Sequence, residues 1–484
     1  MSDAPDSRSV LVVGAGIMGS GIAQVAAQSG HPVLLFDDKP GAAVDAKVAL
    51  QATFDKLVAK GKFSDEFSRK TMLAITPVES LEAAATVDLV VEAVVEDIEI
   101  KRGLFRQLED IVGDDCILAT NTSSISVTAL ANGLRHPERL VGMHFFNPVA
   151  LMKLVEVVSG LQTSAAAADS IHDLAKTWGK VPVHARSTPG FIVNRIARPF
   201  YAESLALLQE RAATPGVLDA CLRGAGFRMG PCELMDLIGH DTNFSVTRSV
   251  YEANFFDKRY APSLVQQELV DGGLLGRKSG RGFYDYSADQ KPGAADYPVP
   301  ATAPACDSLA VRGRGPIAER IARTLQQHGC RFERIYDSKW VGLQVDSARL
   351  RLTDGRCASE LGRDVAVFDL PLTDAAGTVL AWSHAGRAAA QWVADAPDWL
   401  AMIGFVPQRI ADTPGLVVAR TIAMLVNEAA DAVQQGVCSE TGANDAMKLG
   451  VNYPAGPFEW LAQWQSSAVV ALLDRLDDFY RGER

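Results

Sequence analysis

The sequence predicts an α/β chain laid down twice: a parallel-sheet domain followed by helices, then a reduced sheet domain followed by a second set of helices. Three observations carry this. A short apolar strand runs into the glycine-rich GAGIMG near the amino terminus. Strand-like and helix-like segments then alternate, the pattern of a parallel sheet with crossover helices. Finally, stretches of the first half return in order. TPGFIVNRIARPFYAESLALLQE, with Pro189, comes back as TPGLVVARTIAMLVNEAADAVQQ, with Pro414, and Gly230–Pro231 comes back as Gly456–Pro457.

Ser9 to Val13 is the opening strand, and Gly14, Gly16 and Gly19 stand in G-x-G-x-x-G spacing with Ile17 and Met18 between them. Gly14 permits the tight turn, Gly16 lets the backbone approach a pyrophosphate, and Gly19 lets helix and strand pack closely. A helix follows, then HPVLLFD, a second strand ending in Asp37. An acid there accepts from the adenosine ribose hydroxyls and repels a 2′-phosphate, which favours NAD over NADP. The segment reads as a Rossmann-type domain over residues 7–187.

Residues 40–62 read as a helical arm that FSDEFSRKTMLAI continues, with Lys60 and Lys62 exposed at its turn. A buried strand over 88–95 ends at Glu96, an amphipathic helix follows, and CILATNTSS is a strand running into a polar turn. Asn121 to Ser124 fall past that strand's carboxyl end. An open α/β sheet binds its ligand there, and a helix cap is the alternative.

The stretch VGMHFFNPVALMKLVEVV, residues 141–158, holds His144 and Glu156 in apolar surroundings. MKLVEVV reads as a buried strand, in which an ionised Glu is costly unless paired. A His with a buried carboxylate partner suits proton abstraction. A satisfied core histidine beside a structural ion pair is the other reading.

After this come LAKTWGK and KVPVHARS, a helix and a strand. TPGFIVNRIARPFYAESLALLQE then reads as one long helix from about Pro189, with Asn194 in its first turns. Residues 188–286 form a helical domain ending in the basic loop LGRKSGRGFYDY, which carries Lys278. Residues 287–305, rich in Pro and Ala, read as a linker. Residues 306–410 form a degenerate Rossmann-like domain, and 411–484 a second helical repeat.

The chain has 484 residues, is 48% hydrophobic and 22% charged, and carries a net charge of −11. That is a globular balance, and it argues against a general nucleic-acid or anionic-membrane partner. Seven scattered cysteines without C-x-x-C fit a reduced, cytoplasmic protein, and no metal-ligand cluster is visible. The polar first residues do not resemble a signal peptide, and no apolar run is long enough to span a bilayer.

Strand–GAGIMG–helix, NTSS, HFFNP, LVEVV and TPGFIVNR, in this order, resemble the L-3-hydroxyacyl-CoA dehydrogenase family over residues 9–286. The resemblance implies NAD-dependent oxidation of the 3-hydroxyl of an acyl-CoA. It makes His144 the general base and Glu156 its orienting carboxylate, with Ser123 and Asn194 holding the substrate oxygen and the His. It sets Glu96, Lys101 and Asn147 beside the nicotinamide and Lys278 near the cofactor. Thr53 and Lys60 become CoA contacts.

The second half departs from this pattern where chemistry is carried. Ala419 stands for Asn194, Tyr336 for Asp37, and neither HFFNP nor LVEVV appears between Cys330 and Ala411. It reads as catalytically silent, a built-in partner for the first helical repeat, in a monomer with an internal pseudo-dimer or a homo-oligomer. Substitution of Arg420 is therefore expected to change turnover little. The long form resembles bacterial dehydrogenases of phenylacetate breakdown that act on 3-hydroxyadipyl-CoA. A 3-hydroxybutyryl-CoA or broad short-chain enzyme is the alternative. A dicarboxylate substrate wants a cation at its free end, for which Arg195, Arg198 and the loop around Arg277 are candidates.

Overall fold

The computed structural model describes residues 7–287, 297–375 and 377–482. Of the linker read at 287–305, residue 287 and residues 297–305 are described, and residues 288–296 lie outside the described residues. The chain forms two compact bodies: residues up to Arg195 with Asp431–Val451, and Ile196–Ala430 with the segment from Asn452 onward.

The first body is built on eight strands: β1 (Val10–Val13), β2 (Val33–Phe36), β3 (Ile75–Pro77), β4 (Leu89–Glu92), β5 (Ile117–Thr120), β6 (Leu140–Phe145), β7 (Leu154–Ser159) and β8 (Val181–Arg186). Their order is β3-β2-β1-β4-β5-β6-β7-β8. β1 and β4 are buried at every position, which is why VLVV and LVVE lack polar alternation. Neighbours are parallel except β6 and β7. Too few residues separate β6 from β7 for a crossover helix, so β7 returns antiparallel. That reversal sets His144 directly opposite Glu156.

The arm is two helices, Ala42–Ala59 and Asp65–Ala74. The break falls at Ser64, whose hydroxyl accepts from the Phe67 N–H and caps the second helix. The helix Glu440–Gly450 also belongs to this body and packs on β7 and β8. Contact is close: a Cβ on Gly442 would stand 2.8 Å from Val183, and one on Gly450 2.7 Å from Leu154. The second helical repeat, read from the sequence as one unit, is thus divided between the bodies.

The long helix expected from Pro189 is broken. Phe191 takes a left-handed turn at φ 45°, a short helix covers Val193–Ile196, and the main helix runs Arg198–Gln209. Pro199 opens it and has no N–H to continue the preceding ladder.

The second body holds a seven-stranded sheet of β9 (Leu309–Arg312), β10 (Glu333–Ile335), β11 (Gly342–Val345), β12 (Ala348–Leu352), β13 (Val365–Phe368), β14 (Thr378–His384) and β15 (Phe405–Arg409). Its order is β10-β9-β11-β12-β13-β14-β15. The pattern of the first sheet is kept at the far side, where β13 and β14 are antiparallel and β14 and β15 parallel. The reduction lies in the middle. β11 and β12 form a tight hairpin through Asp346 at φ 51°, replacing a strand–helix–strand crossover. Helices Pro215–Gly224, Pro231–Ile238, His240–Ala253 and Leu264–Asp271 are joined here by Pro457–Trp464 and Ser466–Tyr480. Among the described residues no helix is long and apolar enough to cross a membrane.

Candidate active site

Strands β1, β4, β5 and β6 run parallel, so their carboxyl ends share one edge of the sheet. The glycine turn, Glu96 and Asn121–Ser124 follow those ends, and His144 lies near the end of β6, before Phe146 and Asn147.

Gly14 sits at φ +102°, and a Cβ there would meet the Ala93 carbonyl oxygen at 2.5 Å. At Gly19 a Cβ would collide with the Gly14 carbonyl, whereas at Gly16 it would meet nothing within 4 Å. The helix Ile17–Gln28 has no side-chain cap, and its free N–H groups face that opening. Ile17 is exposed and Met18 packs on the core. Asp37 follows β2 and is fixed by the N–H groups of Ala15 (2.6 Å) and Lys39 (2.9 Å). An open cradle at Gly16 and a fixed acid beyond β2 fit a dinucleotide.

Glu156 is fully buried, and its two oxygens do different work. Oε2 lies 2.5 Å from His144 Nδ1. Oε1 accepts from the backbone N–H groups of Ile192 (3.0 Å) and Val193 (2.9 Å). A carboxylate only accepts, so Nδ1 carries its proton toward Glu156 and Nε2 is left as the basic nitrogen. The His144 ring is packed by Phe146 and Phe191. The same carboxylate that orients the His144 ring therefore anchors the turn leading into Asn194, which is half-buried in the short helix Val193–Ile196.

Glu96 organises the NTSS turn. Its Oε1 accepts from the Thr122 hydroxyl (2.6 Å), from the N–H groups of Ser123 (2.9 Å) and Ser124 (3.1 Å), and from the Ser124 hydroxyl (2.9 Å). Burial pushes its carboxyl up, but Thr122, the Lys101 charge and the two serines together outweigh that and hold it below its usual value. Lys101 is 1% exposed and ion-paired to Glu92 (2.5 Å) and Glu96 (3.3 Å). It sits behind Glu96 as a brace, not on the surface beside it.

Asn147, Thr53 and Lys60 are exposed, with the Thr53 hydroxyl returned to the Ala49 carbonyl. Lys278 lies in the second body and pairs with Asp241 at 2.5 Å. Its loop is tied down by Asp236, which accepts from the Phe283 and Tyr284 N–H groups and the Tyr286 hydroxyl.

Four contributions escaped the sequence reading. Glu92 is buried with Lys101 and Thr120; an apolar strand ending in Glu was its only signal. Asn121 accepts from the Phe145 N–H at 2.8 Å, tying β5 to the residue after His144. Asp431 and Gln435 hold Arg195, next to Asn194, at 2.8 and 2.9 Å. Cys438 lies close enough to Glu156 that burial, reinforced by that charge, pushes its thiol up to about 11. The last three join segments remote in sequence, and no local pattern marks them.

Comparison with known proteins agrees. Residues 9–188 match the family model described as the 3-hydroxyacyl-CoA dehydrogenase NAD binding domain. The C-terminal domain of that family matches twice, at 190–286 and 415–483, and 350–414 match the 3-hydroxybutyryl-CoA dehydrogenase reduced Rossmann-fold domain. The chain is 42% identical, over 99% of its length and 95% of the relative's, to the 3-hydroxyadipyl-CoA dehydrogenase of Escherichia coli K12. It is 42% identical to the mitochondrial hydroxyacyl-coenzyme A dehydrogenase of Sus scrofa, over 58% of this chain and 91% of that one. Among solved structures, that of a 3-hydroxybutyryl-CoA dehydrogenase from Escherichia coli K12 is similar at a TM-score of 0.89 and 42% identity, covering 99% of this chain and 96% of that chain. The (S)-3-hydroxybutyryl-CoA dehydrogenase of Ralstonia eutropha follows at 0.57 and 38%, covering 58% of this chain and all of that one. With a dinucleotide cradle, a buried His–Glu pair and both helical copies in place, the chain belongs to the 3-hydroxyacyl-CoA dehydrogenase family and is an NAD-dependent enzyme of that family.

Proposed function

We propose that the chain oxidises the L-3-hydroxyl of a dicarboxylyl-CoA of the 3-hydroxyadipyl type, as in the breakdown of phenylacetate. The observation that carries this is the likeness along the whole chain, silent half included, to the relative named for that substrate. A 3-hydroxybutyryl-CoA substrate is the second reading, favoured by the equally full-length likeness to the solved structure named for that activity.

His144 Nε2 takes the hydroxyl proton, and Glu156 stabilises the imidazolium that results. NAD⁺, when bound, accepts the hydride that leaves the carbinol carbon. Ser123 and the imidazolium donate to the oxygen as it becomes a ketone, and Asn194 fixes the geometry. Asp37 receives the ribose hydroxyls, Gly14 to Gly19 the pyrophosphate, and Glu96, braced by Lys101, borders the nicotinamide with Asn147. Thr53 and Lys60 meet the CoA. Lys278 is placed near the cofactor by resemblance alone. All seven cysteines are free thiols, which supports a reduced compartment such as the cytoplasm.

The experiment is a spectrophotometric panel of 3-hydroxyacyl-CoAs differing in length and terminal charge. Highest kcat/KM with 3-hydroxyadipyl-CoA supports the first reading, and equal or higher kcat/KM with 3-hydroxybutyryl-CoA overturns it in favour of the second.

A further inference from the structure

The second body contains a cavity of about 470 Å³, lined from the helices Arg198–Gln209, His240–Ala253 and Val418–Gln434 and from the segment at Lys258–Gln266. Its wall carries Arg198, only 6% exposed. The guanidinium donates from Nη1 to the Thr247 hydroxyl at 2.9 Å and lies 4.9 Å from the centre of the Tyr201 ring. Its Nε has no hydrogen-bond partner, and no carboxylate neutralises it among the described residues.

An arginine does not shed its charge, and a buried charge without a counter-ion is costly. The acids on the cavity wall are committed elsewhere. Glu203 is paired with Arg420 at 2.7 Å, and Glu210 accepts from the Tyr480 hydroxyl. The neighbouring Arg259 is held by Asp257 at 2.9 Å. Exposed Lys258 adds a second positive charge at the rim. The other two cations suggested for a dicarboxylate are already used: Arg195 on Asp431 and Arg277 on Glu233.

We propose that this cavity binds the carboxylate of an aliphatic carboxylic acid, with Arg198 as its counter-ion. A planar guanidinium fork matches a carboxylate. Leu205, Ala206 and Met424 also line the cavity and suit a hydrocarbon chain, and the volume is that of a small-molecule site. The inference rests on the dehydrogenase reading only for the source of the acid. That source is either the free end of a dicarboxylyl-CoA or a separate acid of the same chemistry.

Titration calorimetry of adipate into the full-length protein tests the pocket without turnover. Wild type should bind adipate and not the neutral adipamide. Arg198→Met should weaken adipate by at least about tenfold, as loss of a buried charge partner does, while Arg198→Lys restores part of the affinity. Met424→Trp, which fills the cavity and leaves Arg198 in place, should also abolish binding, so the result does not depend on one variant folding. No adipate binding to the wild type, or equal binding in wild type and Arg198→Met, overturns the proposal. The source is read from the ratio of kcat/KM for 3-hydroxyadipyl-CoA over 3-hydroxybutyryl-CoA. A ratio that collapses in Arg198→Met assigns the pocket to the substrate's free end. A ratio that holds while adipate binding is lost assigns it to a separate acid.

Discussion

Asp369, just past β13, makes the backbone contacts in the second body that Glu156 makes from within β7 in the first. Glu156 accepts from the N–H groups of Ile192 and Val193, just after Phe191 at φ 45°. Asp369 accepts from the N–H groups of Val417 and Val418, just after Leu416 at φ 52°. Both copies therefore anchor the same left-handed turn with a buried carboxylate, and only the first adds a histidine. Anchoring the turn and orienting the His144 ring are separable duties of Glu156.

The dyad follows from this. Glu156→Gln keeps an oxygen for the two N–H groups but turns an amide N–H toward His144, which moves the ring proton to Nε2. It should fold normally and lose kcat by ~10²–10⁴-fold, as should His144→Gln with NAD binding kept. Glu156→Ala should lose activity and also melt lower, because the turn is unanchored. Stopped assays with thermal melts separate the two duties, and near-normal turnover in Glu156→Gln removes the dyad from the mechanism.

Asp37 is expected to set cofactor choice. Its oxygens are fixed by Ala15 and Lys39, so it cannot swing away from a 2′-phosphate. The wild type should prefer NADH to NADPH, and Asp37→Ser should narrow the gap. Equal kcat/KM for both cofactors in the wild type contradicts this.

Glu96→Gln places an amide N–H against Lys101 and weakens the bonds that shape the Ser123 turn. A loss of about 1 kcal/mol is expected at neutral pH, because solvent screens the partly exposed carboxylate. The Glu96 carboxyl is held below its usual value when folded, so its stabilisation is present above the unfolded value and is lost as pH falls through the folded one. The gap in urea midpoint between wild type and variant should thus be widest near neutrality and shrink on acidification. A gap that widens in acid would show that Glu96 is not ionised in the fold.

Arg420 bears on stability rather than turnover. Its substitution is expected from the sequence to change turnover little, and the side chain is fully buried and paired with Glu203 at 2.7 Å. Arg420→Ala leaves Glu203 uncompensated and should cost about 3–5 kcal/mol, seen as a large drop in melting temperature. A melting temperature like that of the wild type would show the pair to be dispensable.

Truncation after Tyr286 keeps the dyad and the glycine turn but deletes Asp431, Gln435 and the helix Glu440–Gly450. Arg195 loses Asp431 and Gln435 beside Asn194, and the apolar face of β7 and β8 is uncovered. The truncated protein should aggregate or turn over weakly, checked by light scattering and assay. A soluble, monomeric, fully active fragment would make the second half an appendage.

The sequence by itself determined the two-fold layout, the dinucleotide turn, the acid after β2 and the pairing of His144 with Glu156. Each is a local signal: spacing of glycines, an apolar run, a charged residue where burial forbids one unpaired. Repeated segments also showed where the second half departs from the first, because Ala419 and Tyr336 can be read off directly. Tertiary structure alone decided which partner each buried charge takes. Lys101 turned inward to Glu92, Arg420 reached Glu203 across the helical repeats, and Arg195 took Asp431 and Gln435. Those choices depend on which helix faces which, and that is fixed by packing of distant segments rather than by any pattern along the chain. For the same reason the break at Pro199 and the placement of Asp431–Val451 in the first body emerged only when the chain was folded.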